Sequence, residues 1–181
     1  MDISPSDVGF DDRGSDDAID PDIAYALDTL VRVVERQSRE FRASILLVSV
    51  DGKRMLDGAA PSLPDAYRRA IHGLEIGPGA GSCGTAAYRN ERVIVTDIER
   101  DPLWEPFRDT ARPYDLAACW SEPIRAPSGE VLGTFAMYYR EPRMPTPADL
   151  EVIAAAANRA AGLLQQAREG ADRAQLVSGL L

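Results

Sequence analysis

The chain has 181 residues, enough for one domain with appendages and a substantial core. Its 29 acidic and 20 basic side chains give a formal charge of −9, which argues against a nucleic-acid partner because that interaction needs clustered cations. Two cysteines are too few for a disulfide framework, and neither a secretion signal nor an apolar run of the roughly 20 residues that cross a bilayer is present, so a reducing cytoplasm is the expected setting and no membrane partner is expected.

Residues 1–19 hold six aspartates and few large apolar groups, and are expected to form a disordered acidic leader. Asp20 reads as an N-cap with Pro21 in the first helical position. Ile23, Ala26, Leu27, Leu30, Val31 and Val34 follow at helical spacing, which predicts an amphipathic helix over 21–39. The β-branched run 43–50 predicts a strand, closed by Asp51-Gly52, with 54–60 returning as its hairpin partner. A short helix over 63–74 precedes a glycine-rich loop, a helix at 82–90 and a strand at 92–96. A further short helix, 102–110, carries Trp104 and Phe107 on one face; Asp101 is its expected N-cap and Arg112-Pro113 its stop. Residues 117–125 and Val131–Tyr139 form a second hairpin around Pro127-Ser128-Gly129.

The C-terminal segment has its own pattern. Leu150, Ile153, Ala157, Ala160, Leu164, Ala167, Ala171 and Ala174 recur in 3-4 spacing, a thin heptad seam. A continuous helix over 146–181 would run about 54 Å, against about 40 Å for a body of this size, so it overhangs or frays after Gly162 or Gly170. Two readings stay open: a core-covering helix with a frayed tail, or a coiled coil that pairs two copies. The element order suits an α+β sandwich, one antiparallel sheet with helices on both faces, spanning 20–167 with 168–181 as a helical extension.

Two strings carry the chemistry. In Glu75–Tyr88, EIGPGAGSCGTAAY, the glycines 77, 79 and 81 permit positive φ and Ser82 is placed to cap the following helix. Such a loop gathers backbone N–H groups at a helix's positive end and can cradle a small ligand; it can equally be a tight turn that lets the helix approach the sheet. Cys83 lies in the first turn, where the helix dipole favours a thiolate. In LAACWSEPI, residues 116–124, Ala118, Trp120 and Glu122 point to one face and Ala117, Cys119, Ser121 and Pro123 to the other. The small residues at 117, 119 and 121 would leave room above the sheet, which turns Cys119 and Ser121 toward a cavity. Trp120 is then core beneath the sheet, or the roof of the pocket if the register is reversed.

The strings SLPDAYRRAIHGLEIGPGAGSCGTAAYRNERVIVTDIERDPLW and LAACWSEPIRAPSGEVLGTFAMYYREPRMPT resemble the GAF family of sensory domains, in the branch found in bacterial sensor kinases and cyclic-dinucleotide signalling proteins. The resemblance covers about 20–167. It implies a six-stranded antiparallel sheet with the first and last helices on one face and a lid of short helices enclosing a pocket on the other. It also implies a non-catalytic sensor that binds a small ligand and relays it through its terminal helices in a homodimer, toward an output domain or partner protein. The resemblance names neither the ligand nor a cofactor. The Asn-Lys-Phe signature of cyclic-nucleotide binders and the Cys-His pair of bilin binders are both missing. The leader beginning at Met1 fits a stand-alone regulator or the N-terminal piece of a larger sensor.

The residues expected to line the ligand are Gly81, Ser82, Cys83, Gly84, Thr85, Ile94, Trp104, Phe107, Cys119 and Ser121. Two other readings remain. One branch of the family, the free methionine-(R)-sulfoxide reductases, has a similar G-x-C-G-T-A string, and a thiol-dependent reductase would need Cys119 to face the pocket with Cys83. The other is a dimerisation module whose pocket its own side chains fill. His72 is the single histidine, which excludes metal sites of several imidazoles and fits a cap on helix carbonyls.

Overall fold

A computed structural model describes residues 18–178, with side chains through Asp172; the expected leader lies, for residues 1–17, outside it. The elements in chain order are α1 (Pro21–Glu35), β1 (Phe41–Val48), β2 (Arg54–Ala59), α2 (Asp65–Ile71), β3 (Leu74–Glu75), α3 (Gly81–Arg89), β4 (Val93–Val95), α4 (Arg108–Ala111), β5 (Ala118–Arg125), β6 (Val131–Tyr139) and α5 (Pro147–Ser178). The six strands form one antiparallel sheet in the order β3-β2-β1-β6-β5-β4. The segment expected as one helix over 102–110 is a 3-10 turn, Pro102–Phe107, running into α4. Pro106 lacks the N–H an α-helix would use there, which favours the tighter turn.

Local chemistry sets the helix starts. The Asp20 carboxylate accepts from the N–H groups of Asp22 and Ile23, and the Asp101 carboxylate from that of Leu103, as expected of both. At α5, Thr146 and Asp149 cap each other reciprocally: the Asp149 N–H donates to Thr146 Oγ1 and the Thr146 N–H to the Asp149 carboxylate. The helix then runs unbroken through Gly162 and Gly170.

Each face of the sheet has its own core. Beneath it, α1 and α5 pack on Ile45, Ala118, Trp120, Phe135 and Met137 through Leu27, Val31, Ile153 and Ala157. Trp120 is fully buried there; at roughly 200 Å2 and 25 cal/mol per Å2, that burial contributes about 5 kcal/mol of transfer free energy. Trp120 is therefore core and not roof. The first half of the heptad seam, Ile153 to Ala160, is spent on this chain's own sheet, while Arg168 to Asp172 are exposed. Above the sheet, α2, α3 and the segment 102–114 cover Leu46, Met55, Cys119, Ala136 and Tyr138.

Candidate functional site

The alternation of β5 and β6 puts Cys119, Ser121, Thr134, Ala136 and Tyr138 on the lid face, paired as Cys119 with Tyr138 and Ser121 with Ala136. These side chains are small apart from Tyr138, and the expected consequence was an open hollow above them. Instead α3 lies directly on β5 and β6. Small lid-facing residues shorten the helix–sheet distance, and close packing fills the space with the helix itself.

Two glycines fit the start of α3 to the loop before it and to the lid. Gly81 takes φ +60°, and Gly84 leaves no room for a side chain, since a Cβ there would stand 2.6 Å from Ala80 Cβ and 3.1 Å from the Glu75 carbonyl oxygen. Gly77 and Gly79 do not adopt positive φ, so the expected cradle of three left-handed glycines is reduced to one. Ser82 is not the helix cap, because α3 already begins at Gly81. Its hydroxyl instead donates to the Cys119 carbonyl at 3.0 Å and accepts from the Trp104 indole N–H at 2.9 Å. Thr85 faces the loop, where Oγ1 accepts from the Ala80 N–H.

Between lid and sheet remains a cavity of about 20 Å3, bordered by Tyr67, Gly81, Cys83, Trp104, Phe107 and Tyr138 among others. That is room for about one water molecule. Trp104 is 4% exposed and meets Phe107 edge-to-face at 6.4 Å between ring centres. Tyr67 stands edge-on to both Tyr114 and Tyr138.

Cys83 is buried with its sulfur 3.9 Å from Tyr138 Oη, which also accepts from Ser44 Oγ at 3.3 Å. The Cys119 thiol, then the Ser121, Thr134 and Tyr138 hydroxyls, stabilise the Cys83 anion and outweigh burial, pulling its pKa down to about 7. Burial pushes the Cys119 thiol up, and the charge favoured on Cys83 pushes it further. Burial likewise raises Tyr67 and Tyr138, which stay protonated. Both cysteines are free thiols.

Seven of the ten expected residues thus surround one layer: Gly81, Ser82, Cys83, Trp104 and Phe107 at the cavity, with Cys119 and Ser121 beneath α3. Gly84 and Thr85 serve the loop instead. Ile94 is on the wrong side of the sheet: it pairs with Trp120 and packs toward α1 and α5, while Val93 and Val95 face the lid. A three-residue strand shows too little alternation to assign its faces from sequence. His72 ends α2 as its C-cap through its backbone N–H, which donates to the Arg68 carbonyl at 3.0 Å, while its side chain turns elsewhere and Nδ1 accepts from the Asp57 N–H at 3.2 Å. Among the described residues, no group of three or more His, Cys, Asp or Glu could hold a metal ion, and no helix is long and apolar enough to cross a membrane. Tyr67, Thr134 and Tyr138 were missed. The register of the β5–β6 hairpin, counted from its Pro127-Ser128-Gly129 turn, would have placed Tyr138 and Thr134 beside Cys119 and Ser121.

The GAF domain family matches residues 21–165. A curated relative, the methyl sulfide methyltransferase-associated sensor of Methanosarcina acetivorans, is 41% identical over 124 residues; the match covers 68% of this chain and 12% of the relative, so the chain spans a small part of that protein's length. Among solved structures, a domain assigned to a two-component sensor histidine kinase protein of Sinorhizobium meliloti superposes with TM-score 0.70 at 20% identity, covering 87% of this chain and 99% of that one. The free methionine-R-sulfoxide reductase of Neisseria meningitidis superposes with TM-score 0.65 at 17% identity, covering 82% and 81%. Likeness at these identities establishes a shared fold.

Proposed function

The chain belongs to the GAF domain family, and we propose that it is a non-catalytic sensory module: a small molecule enters between α3 and the 102–111 lid, and the sheet passes the resulting shift to α1 and α5. One observation carries the reading. The lid is tied through Trp104 and Ser82 to the carbonyl of Cys119, and the next residue along β5, Trp120, is fully buried in the layer under α1 and α5. A movement of the lid therefore has a hydrogen-bonded path into the strand that supports the terminal helices. The sensor-named relative supports the same reading.

With a cavity of about 20 Å3, anything larger than water must displace Trp104 and Phe107. Binding then selects a lid-open state that the free protein populates weakly. The exposed turn of α5 from Arg168 to Asp172 belongs to the surface through which two copies would pair, with an output domain or partner protein reading their packing, in the cytoplasm. The test is native mass spectrometry of freshly purified protein followed by a metabolite thermal-shift screen, with sedimentation at tens of micromolar. A bound small molecule, or a stabilising metabolite whose effect is lost in Trp104→Ala, supports the reading. No bound species and no shift, with a monomer throughout, overturns it.

The near-filled cavity favours a second reading, a dimerisation module without ligand. The same experiment separates the two, since that module would sediment as a dimer with nothing bound. A thiol-dependent reductase draws on Cys83 and Cys119 lying in one buried layer, and would lose its turnover in either Cys83→Ser or Cys119→Ser.

A further inference from the structure

The buried hydroxyls around the cavity are already engaged. Ser82, 1% exposed, uses its hydroxyl twice, donating to the Cys119 carbonyl and accepting from the Trp104 indole N–H. Tyr138 Oη accepts from Ser44 Oγ. Among the described residues, the buried side-chain polar atoms without a partner belong to Trp120, Ser121, Thr134 and Tyr139, and none of these residues borders the cavity. No described residue bordering it is charged, while Tyr67, Trp104, Phe107 and Tyr138 surround it with rings. Leu74, Phe107 and Thr110 are only partly buried and make its open side. Such a site offers a buried ion no counter-charge and suits an uncharged ring.

Trp104 shows what fits there. Its indole lies against Gly81, where a Cβ would stand 3.8 Å from Trp104 Cε2 and 3.7 Å from Phe107 Cδ2, and it gives its single N–H to Ser82 at 2.9 Å. We propose that the input molecule is an uncharged aromatic ring with one N–H or O–H donor, of the indole or phenol class, which displaces the Trp104 indole and donates to Ser82 Oγ in its place. The inference rests on taking the layer between lid and sheet as the ligand site, and it names the class of that ligand. Entry moves Trp104 and Phe107 aside, because the closed cavity of about 20 Å3 holds no more than water. The two rings vacate apolar space, and a cavity of ~150 Å3 lined by apolar side chains already holds one benzene ring. Their departure also leaves the buried Ser82 oxygen an acceptor without a donor, which is costly unless the ligand supplies one. Ring thus replaces ring and donor replaces donor, while the Ser82 bond to the Cys119 carbonyl is kept. The lid is freed from β5, because the contact it made with Ser82 passes to the ligand.

The experiment titrates the full chain, ¹⁵N-labelled on its two tryptophan indoles, with unlabelled indole and follows the Trp104 side-chain N–H signal by NMR. Saturation should move that signal to the position of a solvent-exposed indole. Benzofuran, the same bicycle with oxygen in place of the N–H, should bind at least ~10-fold more weakly, because it leaves Ser82 unpaired. Indole-3-acetate should also bind at least ~10-fold more weakly, since its carboxylate meets no counter-charge. In Ser82→Ala the preference for indole over benzofuran should shrink to within ~2-fold, as expected when one partner of a pair is removed. The comparisons among the three compounds use the wild-type protein and stand whether or not Ser82→Ala folds. An unmoved Trp104 signal at millimolar indole, equal affinities for indole and benzofuran, indole-3-acetate bound as tightly as indole, or an undiminished preference in a folded Ser82→Ala would each overturn the proposal. A different molecule retained in native mass spectrometry while indole stays inert overturns this inference alone. Indole bound through Ser82 with hydrogen exchange in α1 and α5 unchanged overturns the sensory relay and leaves this inference standing.

Discussion

Ser82→Ala tests whether the lid is fastened where the hydrogen bonds place it. The substitution removes the oxygen that accepts from Trp104 Nε1–H at 2.9 Å and the hydroxyl that donates to the Cys119 carbonyl at 3.0 Å. The carbonyl lies in a strand paired on both sides, so its loss counts for less. Among the described residues the indole N–H donates to Ser82 alone, and an orphaned buried donor costs about 1–3 kcal/mol. We expect a loss of about 2 kcal/mol, a fall in Tm of roughly 4–8 °C for a chain of this size. Trp104→Phe deletes the same N–H together with part of the ring, so the double variant loses the bond only once. Urea unfolding of the four proteins should give a coupling energy of about 1–2 kcal/mol. Additivity within ~0.3 kcal/mol would refute the bridge, and with it the path from lid to β5. Hydrogen exchange supplies the local view: protection in 102–111 should fall in Ser82→Ala while α1 keeps its own.

Gly133→Ala should leave no soluble folded protein: its Cβ would stand 2.3 Å from the Leu46 carbonyl oxygen and 3.2 Å from Leu47 Cα, backbone atoms of a paired strand that cannot swing aside. By contrast Gly162→Ala meets nothing within 4 Å in α5 and should raise stability by about 0.5–1 kcal/mol, read as a higher Tm. Asp149→Asn should cost about 1 kcal/mol at pH 7 as the reciprocal cap weakens. Burial works against the Asp149 charge, but Thr146 and Arg143 outweigh it and hold the carboxyl below its ordinary range. Its contribution is therefore complete above the unfolded value near ~3.9 and disappears as pH falls through the lower folded value. Urea midpoints taken from pH 5 to pH 2 should fall less in the variant than in the wild type; parallel curves would contradict the assignment.

What the sequence made legible followed simple periods and caps. Asp20 and Asp101 were readable because an acid two residues before a backbone N–H has one obvious use. The alternation of β5 was readable, since it sets Trp120 opposite Cys119 and Ser121, but which of the two faces meets the terminal helices was decided by the structure, which puts Trp120 beneath the sheet. The volume of the site was not readable. Small residues on a sheet face are equally consistent with an empty space and with a helix brought close, and only the position of α3 decides between them. Ser82 shows the same limit, since a serine beside a helix start suggests a cap when no long-range acceptor is in view. Its partners lie 37 and 22 residues away, at Cys119 and Trp104. Sequence pattern records neighbours along the chain; the site is made of neighbours across it.

The closeness of α3 to the sheet also bears on how such a domain could report. A roomy, preformed pocket can take a ligand with little rearrangement, and a ligand that binds two states equally shifts neither. Here the cavity is about 20 Å3 and its roof is Trp104. For any ligand larger than water, entry and lid displacement would be one event. Displacing Trp104 removes the donor from Ser82, and Ser82 holds the Cys119 carbonyl, one residue before Trp120. Trp120 in turn stacks on Tyr139 at 4.4 Å between ring centres, and the Arg143 guanidinium lies 4.8 Å above Tyr139 while it pairs with Asp149 in the first turn of α5. Close-packed interiors respond to such a change by moving between discrete arrangements and not by gradual deformation. In the proposed sensor, occupancy would reach the start of α5 through five successive contacts, with no requirement that the sheet bend.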